Sequence, residues 1–277
     1  MPAFSQVDVF STSLHRGNPV AVVHDADGLT SDAMARFARW TNLSETTFLL
    51  APTDPGADYR VRIFTPAEEL PFAGHPTIGS AHAWLERGGR PGSGDEVVQE
   101  CGAGLVRLRR SPRLAFAAPP LVRSGPVTAA ERAAVTAALR LTDDQVLDVE
   151  WIDNGPGWVG AVLPDATTVL ALEPDWSAFE GLELGVVGQY PDPAPGEPLV
   201  EVRAFCPSLG VVEDPVTGSL NAGLAQWLVG NGTLPASYVA SQGTRLGRAG
   251  RVHLDVVDGT VWVGGDAQTV VRGEVLV

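Results

Sequence analysis

The hydrophobic positions of this chain fall mostly into short, β-branched runs with a period of two, separated by Gly, Pro and Asn turn signals. Residues 6–10 and 20–24 read as strands around the turn Arg16-Gly17-Asn18-Pro19. Residues 45–50 and 59–64 are predicted strands. In the second, Arg60 and Arg62 alternate with Val61 and Ile63, giving one wet face and one buried face. The period changes to 3.6 over residues 31–41, where Thr30 or Ser31 can cap a helix carrying Met34, Phe37 and Trp40. A second helix is predicted over 77–87, stopped by Gly88-Gly89, and a hairpin over 97–109 turns at Cys101-Gly102. Beyond a Pro-rich stretch at 112–126, the pattern predicts helices over 129–139 and 220–229. It predicts strands over 146–152, 159–163, 200–205, 252–257, 261–264 and 269–277. Helices and strands mix throughout, so the expected class is α+β with mixed or antiparallel sheets. The Pro-rich stretch divides the chain into an N-terminal lobe, 1–118, and a C-terminal lobe, 119–265, with a last strand, 266–277, that can return to the first lobe.

The halves repeat one another. Val61-Arg62-Ile63-Phe64-Thr65-Pro66 matches Val202-Arg203-Ala204-Phe205-Cys206-Pro207 at an offset of 141. His75-Pro76-Thr77-Ile78-Gly79-Ser80 matches Asp214-Pro215-Val216-Thr217-Gly218-Ser219 at an offset of 139, and an Ala- and Trp-containing helix follows each. Duplication predicts a pseudo-twofold relation between the lobes and makes His75 and Asp214 equivalent. It also places two helix starts, each with free N–H groups and a positive dipole end, around a cleft suited to a carboxylate.

Composition narrows the chemistry. All 19 basic residues are arginine, so lysine Schiff-base chemistry, with or without pyridoxal phosphate, and a Gly-Lys-Ser/Thr phosphate loop are both closed to the chain. A net charge of −14 disfavours nucleic acid and anionic membrane surfaces as partners. No apolar run approaches the ~18–20 residues of a membrane helix, and the N-terminus carries no secretory pattern, so a cytoplasmic location is expected. Two cysteines, Cys101 and Cys206, exclude a disulfide framework or a Cys-rich zinc site. Gly155-Pro156-Gly157-Trp158-Val159-Gly160 matches a dinucleotide fingerprint in letters only, because a strand and not a helix follows it. His75 and His82, seven apart, lack a third ligand nearby, so no metal is expected.

Three side chains are left for proton chemistry. Glu45 opens an apolar strand, where a carboxylate with a raised pKa suits a general base. His75 and Asp214, one from each copy of the repeat, form a second candidate pair.

These residues carry a resemblance. The segments Arg16-Gly17-Asn18-Pro19, Asn42-Leu43-Ser44-Glu45-Thr46, Arg62-Ile63-Phe64-Thr65-Pro66, Leu70-Pro71-Phe72-Ala73-Gly74-His75-Pro76-Thr77 and Glu213-Asp214-Pro215-Val216-Thr217-Gly218-Ser219 resemble the PhzF-like isomerase family of phenazine biosynthesis. So do Gln242-Gly243 and Gly264-Gly265. The resemblance implies a diaminopimelate-epimerase-like fold: two similar lobes, each a sheet wrapped around a central helix, with the active site between them. It implies no cofactor, a small carboxylic acid as substrate and a homodimer. It also implies a glutamate that takes a proton from one ring carbon of a dihydro-hydroxyanthranilate and returns it to another. Carried over, Glu45 is that acid/base, His75 and Asp214 assist it, and Ser44, Gly74, Gly218 and Ser219 hold the substrate. A two-thiol epimerase is disfavoured, since neither Cys101 nor Cys206 lies in the matched loops. A racemase-like enzyme and a non-catalytic binder of small acids stand as alternatives.

Overall fold

The computed structural model describes residues 1–179, 181–209 and 211–277, and the chain divides into two compact units. Unit 1 comprises Met1–Ala117 and Gly264–Val277, and unit 2 comprises Ala118–Val263. In chain order the first unit contains β1 (Ala3–Val9), β2 (Asn18–Val23), α1 (Ser31–Thr41), β3 (Glu45–Leu50), β4 (Tyr59–Phe64), β5 (Glu69–Leu70), α2 (Gly74–Glu86), β6 (Glu96–Cys101), β7 (Gly104–Arg109) and β8 (Ala115–Ala117). Next come β9 (Arg123–Pro126), α3 (Ala129–Leu139), β10 (Asp148–Asp153), β11 (Trp158–Val162), α4 (Ala166–Ala171), β12 (Glu183–Gln189) and β13 (Val200–Cys206). The chain finishes with β14 (Val211–Asp214), α5 (Gly218–Gly230), β15 (Ser237–Gln242), β16 (Gly250–Val257), β17 (Thr260–Gly264) and β18 (Ala267–Glu274). The class is α+β.

Strand pairing shows the duplication directly. In unit 1, β1–β2 is antiparallel, β2–β3 parallel, β3–β4 and β4–β5 antiparallel, β4–β6 parallel and β6–β7 antiparallel. In unit 2, β10–β11, β11–β12, β12–β13, β13–β14, β13–β15 and β15–β16 follow the same sequence of senses. Each first strand takes one more antiparallel neighbour: β18 pairs with β1, and β9 pairs with β10.

The central helices explain themselves. The sequences of α2 and α5 are apolar or small nearly all round, so both are buried over most of their length. Gly79 and Gly223 are required by close packing: a Cβ would lie 2.4 Å from Val20 Cγ1 in the first case and 2.5 Å from the Ile152 carbonyl oxygen in the second. By contrast α1 buries Met34, Phe37 and Ala38. Trp40, expected on the same face, is exposed and stacks on Phe37 instead. Six residues at 100° each set Trp40 about 120° round the helix from Met34, at the edge of the buried face.

The register corrects one expectation. Glu69 faces Phe64 across β4–β5, and Glu213 faces Phe205 across β13–β14. Arg62 and Arg203, two residues earlier on the longer strands, each hold that glutamate through a bidentate fork. The strands therefore match at an offset of 141 but the glutamates at 144, and the 13-residue helices also start 144 apart. His75 is the second residue of α2, and its helical counterpart is Ser219. Asp214 ends β14 before α5 begins, and its counterpart is Leu70. The sequence match at 139 aligned similar letters in different places. Pro76 sits in the first turn of α2, where a missing N–H costs nothing, whereas Pro215 precedes α5.

Candidate active site

In unit 1 the site begins with a turn. The Asp8 carboxylate accepts the backbone N–H of Arg16 at 3.0 Å and of Gly17 at 3.0 and 3.1 Å. A Cβ on Gly17 would stand 2.1 Å from the Val9 carbonyl oxygen, so only glycine closes this turn. The turn delivers Asn18, buried at the start of β2, to His75: Asn18 Nδ2 lies 3.3 Å from His75 Nδ1.

Strand β3 supplies the carboxylate. Glu45 and Thr47 share one face of the strand, two residues apart. Thr47 accepts from Ser80 Oγ of α2 at 2.9 Å and donates to the Ala21 carbonyl at 3.2 Å. That contact aligns β3 with α2, and Glu45 Oε2 comes to 3.3 Å from His75 Nε2, with the Glu45 side chain only 15% exposed. Burial pushes the His75 imidazole down to about 3, a shift opposed by a hydrogen bond with the Pro19 backbone. His75 is therefore neutral at ordinary pH, and its contact with Glu45 is that of a neutral imidazole with a carboxyl group, not an ion pair. No side chain caps the start of α2 and no acidic residue lies in its first turn, so its dipole end is left for an anion. Ser44 immediately precedes β3, and Gly74 is the buried first residue of α2. Glu45, His75, Ser44 and Gly74 thus belong to the strand start and helix start of one unit.

The depressed imidazole has a stability consequence. A group whose folded pKa lies below its unfolded value contributes stability above the unfolded pKa, and that contribution is lost as pH falls from about 6.5 toward about 3. Wild-type protein should lose on the order of 1–3 kcal/mol over this window beyond what His75→Gln loses. Urea unfolding at pH 7, 5 and 4 measures the difference, and parallel pH profiles for the two proteins would contradict the assignment.

Unit 2 holds the other predicted residues. Asp214 Oδ2 accepts from Thr217 Oγ1 at 2.5 Å, which fixes its carboxylate beside the residue that precedes α5. Gln242, wholly buried at the end of β15, ties this connection together. Its Oε1 accepts from Thr217 N at 3.0 Å and from Asn221 Nδ2 at 2.8 Å, and its Nε2 donates to Thr217 Oγ1 at 2.9 Å and to the Asp214 carbonyl at 3.2 Å. Gly218 is the buried first residue of α5. Ser219 Oγ accepts the Trp158 indole N–H at 3.0 Å, and the Ser219 carbonyl accepts from Asn154 Nδ2 at 2.8 Å. Sequence reasoning missed the roles of Asn18 and Gln242. Gln242 was signalled by its place in the resemblance, as Gln242-Gly243, and by its amide at the end of the run Tyr238-Val239-Ala240-Ser241. Cys101 ends β6 and Cys206 ends β13, so neither thiol stands at the start of α2 or α5.

Duplicated sheet-and-helix units of diaminopimelate-epimerase-like fold, with relatives that bear the isomerase name, define the class of this protein as an isomerase. A family model described as "Phenazine biosynthesis-like protein" matches residues 7–273, and the chain belongs to this PhzF-like family. It is 38% identical to antisense-enhancing sequence 1 of Schizosaccharomyces pombe, over 98% of each chain. It is 35% identical to trans-2,3-dihydro-3-hydroxyanthranilate isomerase of Pseudomonas aeruginosa, over 91% of this chain and 90% of the relative. Among solved structures, a PhzF-family phenazine biosynthesis protein from Enterococcus faecalis matches with a TM-score of 0.81 at 25% identity, over 100% of this chain and 99% of that one. Among the described residues, no helix is long and apolar enough to cross a membrane.

Proposed function

We propose that the protein shifts a proton between two carbons of a small carboxylic acid related to trans-2,3-dihydro-3-hydroxyanthranilate. The observation that carries this reading is the contact of Glu45 with a buried, neutral His75 at the uncapped start of α2. Glu45 takes the proton from carbon as the general base. His75 stays neutral and adds no charge that would trap Glu45 as half of a stable ion pair. It can pass a proton on or orient the carboxyl group, while the start of α2 offers N–H groups to the substrate's own carboxylate. Within unit 2, Asp214 is the acidic candidate, held by Thr217. The 35% identical relative bearing the isomerase name supports the substrate class.

The test is incubation with trans-2,3-dihydro-3-hydroxyanthranilate in deuterated water, followed by NMR of the product. The expected product carries solvent deuterium at the carbon that gains the proton. Substrate that binds and is recovered unchanged after long incubation would reject this reading in favour of simple binding.

A further inference from the structure

We propose that Asn18 is a positioning residue of the active site, fixing the imidazole of His75 in the tautomer that turns an N–H toward Glu45; the inference rests on the proton-shift reading above. Every group it needs lies in unit 1. Asn18 is wholly buried at the start of β2, and its Nδ2 lies 3.3 Å from His75 Nδ1. At the ring's other nitrogen, His75 Nε2 lies 3.3 Å from Glu45 Oε2. The three side chains form a row with the imidazole in the middle.

An amide nitrogen can only donate, so the ring nitrogen that Asn18 Nδ2 meets must accept. Burial pushes His75 down to about 3, so the ring is neutral at ordinary pH and carries one proton. With Nδ1 as acceptor, that proton sits on Nε2 and faces Glu45. Pro19 agrees with this assignment. Proline has no N–H, so its backbone can only accept from the ring, and Nε2 is the nitrogen with a proton to give. The opposite tautomer would set the bare lone pair of Nε2 against a Glu45 oxygen, repelling the carboxylate and favouring its protonated form.

The tautomer separates the roles of the two acid/base side chains. A carboxylate beside Nδ1 would take the N–H there and make Nε2 a base, as in a Ser-His-Asp triad. In such a triad, replacing the aspartate by asparagine imposes the other tautomer and lowers kcat roughly 10⁴-fold. Here the amide is the residue in place, so Nε2 is a donor, His75 neither takes nor gives up a proton, and Glu45 is the base. The Nε2–H steadies the Glu45 carboxylate, so the base stands ionised before a substrate arrives. The turn before β2 is built for this placement. The Asp8 carboxylate holds the N–H groups of Arg16 and Gly17, and Gly17 has no room for a Cβ, so the chain can set Asn18 down in one position only.

Nitrogen-15 NMR of the labelled protein at pH 7 reads the tautomer directly, because protonated and bare ring nitrogens resonate far apart. Signals lost in His75→Gln pick His75 out of the five histidines. Wild type should show the proton on Nε2 and a bare Nδ1, and a proton on Nδ1 overturns the proposal. Asn18→Asp keeps the size but offers Nδ1 an acceptor, so that nitrogen should gain a proton. With trans-2,3-dihydro-3-hydroxyanthranilate, kcat of this variant should fall at least ~10-fold while KM stays within about threefold. A folded Asn18→Asp protein whose kcat stays within about threefold of wild type overturns the proposal as well. If Asn18→Asp does not fold, the wild-type spectrum decides alone. If wild-type protein does not convert the compound, the reading under Proposed function falls, and the same spectrum still upholds or overturns the tautomer set by Asn18.

Discussion

Glu45→Gln should lower kcat on trans-2,3-dihydro-3-hydroxyanthranilate at least ~10²-fold and leave the fold intact. The amide keeps the shape of the carboxyl group and its place 3.3 Å from His75 Nε2, so packing against α2 survives. What disappears is the proton acceptor. A hundredfold loss corresponds to about 2.7 kcal/mol of barrier, the scale of a single general base. Stability should change little, because a neutral amide is less costly to bury than a carboxylate. The paired measurement is steady-state turnover with a urea titration at pH 7. Full turnover in a folded Glu45→Gln protein would remove Glu45 from the mechanism.

Arg203→Met should destabilise the protein by about 3–5 kcal/mol, the largest single loss of stability expected from the structure. The side chains of Arg203 and Glu213 are 4% and 9% exposed. Arg203 Nε and Nη2 donate to the two Glu213 oxygens at 2.9 and 2.8 Å, and Nη1 donates to the carbonyls of Leu172 at 2.9 Å and Val169 at 3.2 Å, on α4 and at its end. Methionine fills similar volume but strands a buried carboxylate and two buried carbonyls. The repeat supplies the control. Arg62 and Glu69 make the same fork at 2.7 and 2.6 Å, but their side chains are 19% and 42% exposed. There Arg62→Met should cost under about 1 kcal/mol, because water stands in for the lost partner. Equal losses for the two variants would refute the role given to burial.

Much of the local structure was legible in advance. The helix over 31–41 was recognisable from its Thr30 cap, which accepts the Ala33 N–H at 3.2 Å, and it ends at Asn42 in the left-handed region. The helix over 129–139 carries a capping box, with Thr128 and Glu131 bonded reciprocally. These signals act within four residues, so no tertiary partner is needed to read them. Strand β12 escaped notice for the opposite reason. Glu-Leu-Gly-Val-Val-Gly-Gln is buried on both faces and pairs in parallel with β11, so its sequence shows no alternation. The α2 helix was placed three residues late, because His75-Pro76 reads as a turn until the first-turn position of the proline is known.

By itself the sequence determined that lysine chemistry is closed and that the chain is α+β and duplicated, and it nominated Glu45, His75 and Asp214 as acid/base candidates. These follow from side-chain chemistry and from periodicities that neighbouring residues impose on one another. Only the tertiary structure decided the register of the duplication, because equivalence rests on which residues face each other across strands, as Glu69 faces Phe64 and Glu213 faces Phe205. It alone brought Asn18 to His75 across 57 residues of chain. It alone separated an exposed Arg–Glu fork from a buried one. A carboxylate's proton affinity and its worth to stability are set by what packs over it, and that is a property of distant segments meeting, which no local pattern encodes.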